Sequence, residues 1–206
     1  MSCCHHTDTP FDGMDTQYKR ILWIVIFINA TMFVVEMIAG SLANSMSLQA
    51  DALDFLGDTI TYGLSLAVIG HSLKWRHNVA LFKAITLVGF GLWVLGMTIY
   101  HTFVSGVPTV PIMGSVALMA FVANLISVLL LYRYKEGDAN IRSVWLCSRN
   151  DMISNVAVII AAGLVWYTDT KWPDLAVAFL MSSLFCHSAY LILKQVLQEK
   201  KESPTN

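Results

Sequence analysis

Six apolar runs, each close to the length that crosses a lipid bilayer, follow one another along the chain with only short polar breaks between them. A hydrocarbon core roughly 30 Å thick takes about 20 helical residues to span. In lipid every backbone N–H and C=O must be satisfied within the spanning segment, so runs of this kind fold as helices. They extend from about Ile21 to Ala43, Ser47 to Leu73, Val79 to Phe103, Val110 to Tyr132 and Ile141 to Thr168, with a sixth after Lys171-Trp172-Pro173 ending near Lys194. Charged residues make up only 13% of the chain and mean hydropathy is +0.60, too little polar surface for a soluble domain. The expected fold is an all-α integral membrane protein, a six-transmembrane-helix bundle. Residues 1–20 form an N-terminal tail, 21–194 the transmembrane domain and 195–206 a short C-terminal tail.

Orientation follows from the basic residues of the short loops. With the N-terminus in the cytoplasm, that side collects Lys19, Arg20, Lys74, Arg76, Lys83, Arg133, Lys135, Arg142, Lys194, Lys200 and Lys201, eleven of the 13 basic residues. Lys171 lies on the other side and Arg149 falls within a span. Both termini are therefore expected to be cytoplasmic. Met1 to Arg20 is too polar for a signal peptide, which suits a bacterial inner membrane. With 13 basic against 14 acidic residues there is no basic patch for nucleic acid. The four cysteines, two of them adjacent at Cys3 and Cys4, do not form the framework of a small secreted disulfide protein.

The acids inside the spans carry the chemistry. An ionised carboxylate at mid-membrane costs about 2.5–3.5 kcal/mol on insertion scales, so each needs a partner, a proton or a watery cavity. The spans hold Glu36, Asp51, Asp54, Asp58 and Asp151. Asp54 and Asp58 stand four residues apart on one helix face, with Asp51 in the same arc. Cys147, Asp151 and Asn155 repeat that step in the fifth span, and Arg149 points roughly opposite. Two helices thus offer paired metal-capable groups. Bland readings stand beside this one. Asp51, near a helix end, is either solvated, capping or an auxiliary ligand. Cys147 alone reads as a small buried hydrophobe, and only its spacing from Asp151 makes it a ligand. Glu36 reads as a protonated acid bonding between helices, and Arg149 as a residue that pairs with an acid or snorkels. His71, His77, His101 and His187 are interfacial or structural. Cys186 and His187, as neighbours, point about 100° apart and cannot readily grip one ion. Cys3, Cys4, His5 and His6 form either a loose metal-collecting tail or an inert terminus.

If Asp54, Asp58, Cys147 and Asp151 meet, three carboxylates and a thiolate suit zinc, and cadmium still more through the sulfur. Magnesium and calcium want oxygen alone. An empty site of formal charge −4 must hold protons, which an arriving metal displaces. Exchange becomes transport when the site faces the two sides in turn. Gly57, Gly63 and Gly70 allow close approach or tilting on the second span.

The stretch from Asn29 to Asp58, NATMFVVEMIAGSLANSMSLQADALDFLGD, resembles the first two helices of the cation diffusion facilitators, which export zinc and similar divalent ions in exchange for protons. It has an Asn and a Glu in the first helix, then S-x-S-L-x-A-D-A and two ligand positions four apart, here Asp54 and Asp58. The family's fifth helix usually carries His-x-x-x-Asp, and CSRNDMISNVAVIIAA supplies Cys147 and Asp151. The cysteine shifts the implied preference toward zinc, cadmium or mercury and away from manganese or iron. The resemblance implies a cation-efflux bundle, a transported divalent ion rather than a bound cofactor, and protons as counter-ion. Most members continue into a cytoplasmic metal-binding domain, whereas this chain stops at Asn206. That leaves the membrane helices for a homodimer and the Cys3 to His6 cluster for regulation by metal. The alternative function is a proton-independent channel or uniporter. A metal-dependent membrane enzyme is the remote one: Asp51-x-x-Asp54-x-x-x-Asp58 echoes the phosphatidyl-alcohol transferase motif, but Phe55 stands where that motif needs glycine.

Overall fold

The structure, a computed structural model, describes residues 16–67, 73–134 and 139–202. Among these residues there are helices and no strand: α1 (Thr16–Ala43), α2 (Met46–Ala67), α3 (Leu73–Val104), α4 (Val110–Leu131), α5 (Ala139–Thr168) and α6 (Trp172–Glu202), with one 3-10 turn at Tyr132–Tyr134. Even the 22-residue helices reach about 33 Å at 1.5 Å per residue, enough to cross the hydrocarbon core.

Five of the six pass as membrane spans on length and composition alone, and α2 does not. Its aspartates lower its hydropathy, yet it is the helix with the most inward position, packed on α1, α3, α5 and α6. Composition registers what a helix carries, not which way it faces. The acids of α2 face protein, so the helix belongs to a six-helix membrane bundle. The other strong pairings are α3 on α6, α1 on α2 and α4 on α5. Phe27, Leu42, Ile85, Phe103 and Leu129 are exposed on the outside, as a lipid-facing surface requires. Trp166, Tyr167 and Trp172 are exposed together near the α5–α6 turn, the position of an interfacial aromatic belt.

The end of the bundle away from the chain termini is tied by polar contacts. Asn44 takes a left-handed conformation (φ 54°) just past α1, and the Ser45 N–H closes back on the Gly40 carbonyl at 2.9 Å, a Schellman-type stop. Ser45 then caps α2, its hydroxyl accepting from the Leu48 N–H at 3.2 Å. Asp174, wholly buried in the first turn of α6, accepts from the Met46 N–H at 2.7 Å, the Ser47 N–H at 3.1 Å and the Ser45 and Ser47 hydroxyls at 2.6 Å each. Lys171 gives its ammonium to the carbonyls of His101, Thr102 and Ser105 at the end of α3. The Thr109 N–H reaches the Ala43 carbonyl at 2.9 Å, and Pro111 starts α4 where its missing N–H is not needed.

The glycines expected to permit close approach in the second span do not mark it. A side chain at Gly63 would meet open space, and one at Gly57 only ordinary contacts with Phe90 and Leu87, while Gly70 lies outside the described residues. The tight approaches are elsewhere. A Cβ at Gly40 would fall 2.9 Å from the Gln49 side chain, and one at Gly91 would fall 2.7 Å from Cys186 Sγ. α2 stands back at Gly57 because a cavity opens there.

Candidate metal site

α2 starts and α5 ends at the tied end of the bundle, so the two run antiparallel and their four-residue steps interleave. Tyr62 of α2 meets Val144 and Ser148 of α5, and one turn on, Asp58 and then Asp54 come level with Cys147 and Asp151. All four expected donors line one cavity of about 400 Å³ in the half of the bundle nearer the termini. Leu87, Met181, Phe185 and Ile192 give it an apolar wall from α3 and α6. Asn150 and Ser188 of its lining are exposed, so the cavity reaches the outside.

Asp151 is within hydrogen-bonding reach of both Asp54 and Asp58, and the buried Tyr62 hydroxyl donates to Asp58. The Tyr62 oxygen also lies 3.2 Å from Ser148 Oγ. Among the described residues no three Cys, His, Asp or Glu side chains are drawn around a common point at ligation distance. The donors share a space without closing on one centre. Burial and mutual repulsion make such a cluster a place where a cation or protons must reside.

Not every expected residue reaches this space. Asp51 is 1% exposed, so it is neither solvated nor a cap; Ser45 and Asp174 do the capping instead. It faces Glu36 across α1 and α2, and Glu36 is fully buried with neither oxygen given a donor. Asn155 is also fully buried, and both its amide atoms lack partners. Asp51 and Asn155 thus form the level beyond the cavity rather than its wall. Arg149 is exposed as expected, but takes the Trp145 ring at 5.4 Å rather than an acid. His101 is structural, its Nδ1 2.7 Å from Ser105 Oγ, and His187 is exposed. Cys186 packs on Gly91. Cys3, Cys4, His5, His6 and His71 lie outside the described residues, as does the side chain of His77.

Two residues at the site escaped the sequence reading. Tyr62 supports Asp58 from one turn further along α2, a spacing that could have signalled it. Lys83, counted with the loop charges, belongs instead to the apolar span of α3 and lines the cavity.

Residues 22–199 match the cation efflux transmembrane domain family. The chain is 25% identical over 195 residues to the metal cation efflux system protein CzcD of Cupriavidus metallidurans, covering 87% of this chain and 60% of that protein. It is 29% identical over 201 residues to the zinc transporter ZitB of Pectobacterium atrosepticum (89% and 61%). It is 26% identical over 192 residues to the cadmium, cobalt and zinc/H(+)-K(+) antiporter of Bacillus subtilis (85% and 61%). The chain therefore spans about three fifths of the length of these curated relatives.

Proposed function

Because the chain belongs to the cation efflux transmembrane domain family, we propose that it carries a divalent metal ion, zinc first and cadmium second, out of the cytosol in exchange for protons. Asp54, Asp58, Cys147 and Asp151 hold the ion. The observation that supports this is the cavity itself: two antiparallel helices present i, i+4 pairs of donors to one space inside a membrane bundle. The names of the relatives, transporters of zinc or of cadmium, cobalt and zinc, point the same way and leave an enzyme without support. Both termini are cytoplasmic in this reading, so the cavity faces the cytosol and the end tied by Asp174 and Lys171 faces away. The host is a bacterial inner membrane.

Each ion that enters displaces protons from the donors, and each departure lets protons return. Proteoliposomes carrying a zinc-sensitive and a pH-sensitive dye test this directly. Zinc entry is expected to coincide with proton exit; zinc movement with no proton movement means a channel or uniporter instead. The sulfur makes its own prediction. Cys147→Ser is expected to lower cadmium affinity by at least the roughly 10–100-fold that even a supporting residue is worth to a metal site, and zinc affinity by less, since oxygen replaces sulfur at smaller loss for the harder ion. Competition between the two ions in the same vesicles reads the shift, and equal losses for both would remove the thiolate from the site.

A further inference from the structure

We propose that Lys83 is a built-in counter-ion of the metal site, a tethered cation that competes with the transported ion for the same carboxylates and so sets how tightly that ion is held. The inference rests on the transport site proposed above and assigns a specificity and release function to a residue outside the ligand set.

The placement comes from helix register. On α3 the side chains of Leu81, Phe82 and Ile85 are exposed, while Ala84 and Leu87 are buried, so Lys83 lies beside the inward face and forms part of the cavity wall. It is the one basic residue on that wall among the described residues. Gly57 of α2 faces Leu87 and Phe90 of α3. Because α2 and α3 are antiparallel, one turn onward at Thr61 is one turn back at Lys83. Lys83 therefore sits at a level between the carboxylates and the cavity end on the side of the termini.

A lysine in a span ordinarily belongs at the interface, its stem snorkelling out of the apolar core. Here the turn of the helix offers it a chamber of acids instead. Three carboxyls and a thiol opposed by protons alone would grip a divalent ion firmly, and a transporter must bind weakly enough to let go. An ammonium within reach supplies the opposition. It occupies the field of the empty site and repels the ion in the full one. At an effective dielectric near 20, a unit charge about 10 Å from a divalent ion changes affinity by on the order of a hundredfold.

Equilibrium zinc binding to the purified full chain, measured by competition with a chelating dye, tests the assignment. Lys83→Gln and Lys83→Met are both expected to lower the zinc Kd on the order of a hundredfold, because charge rather than hydrogen bonding is at stake. Lys83→Arg, which keeps the charge, should return the native Kd. In vesicles the two neutral variants should load zinc at lower concentration and turn over more slowly. Neutral variants that bind with the native Kd or more weakly overturn the role of Lys83, provided Asp54→Ala still abolishes binding to the native site. If the native chain binds no zinc, or binds it equally well after Asp54→Ala, the transport site fails and the counter-ion falls with it.

Discussion

Asp54→Ala and Asp151→Ala are each expected to reduce zinc flux into proteoliposomes by at least about 100-fold, which corresponds to roughly 2.7 kcal/mol of lost ion binding, and to remove the accompanying proton flux. Asp151 is the stronger case. It is the carboxyl that both Asp54 and Asp58 reach, so its loss separates the donors of α2 from those of α5. Asp54 is the α2 donor deepest in the bundle, one turn from the level of Asp51. Neither replacement is expected to unfold the protein, because each removes one of several crowded buried acids and relieves their repulsion. The unfolding midpoint in detergent should therefore hold or rise while transport disappears. Unchanged flux in either variant would refute the site.

How much of this was legible in the sequence depends on whether the signal was local. Asp54 with Asp58 and Cys147 with Asp151 could be found because four residues make one helical turn, and a carboxyl in a span demands a reason. The second span could be read despite its acids because its length and its neighbours required a helix there. Lys83 could not be placed, since a lysine a few residues inside a run looks like a charge at the interface; the packing of α3 on α2 puts it on the wall of the cavity that the carboxylates line. Asp51 stayed open between a solvated, a capping and a ligand role because it lies near a helix end, but α1 covers it with Glu36. Tyr62 was overlooked as one aromatic among many in apolar helices. Asp174 was hidden for the most general reason. Its four partners lie about 130 residues earlier in the chain, and nothing in sequence order reports which helix starts meet.

Asp174→Ala is expected to be the most destabilising single change in the protein. The carboxylate is wholly buried and takes two backbone N–H groups and two hydroxyls at the first turn of α2, where the helix dipole also favours negative charge. Alanine leaves those donors without an acceptor. At about 1–3 kcal/mol for each buried group left unsatisfied, with the serine hydroxyls free to turn elsewhere, the loss comes to roughly 3–5 kcal/mol, the range for breaking a buried charged pair. Thermal unfolding in detergent should show a large fall in midpoint. Asp174→Asn should fall between the two. Its amide oxygen can take the place of Oδ1, which serves both hydroxyls and the Ser47 N–H, but its NH₂ then faces the Met46 N–H, donor against donor. The order native, asparagine, alanine follows from the hydrogen-bond geometry alone. An alanine variant that melts with the native protein would show that α2 and α6 are held together by apolar packing and that the tied end contributes nothing to stability.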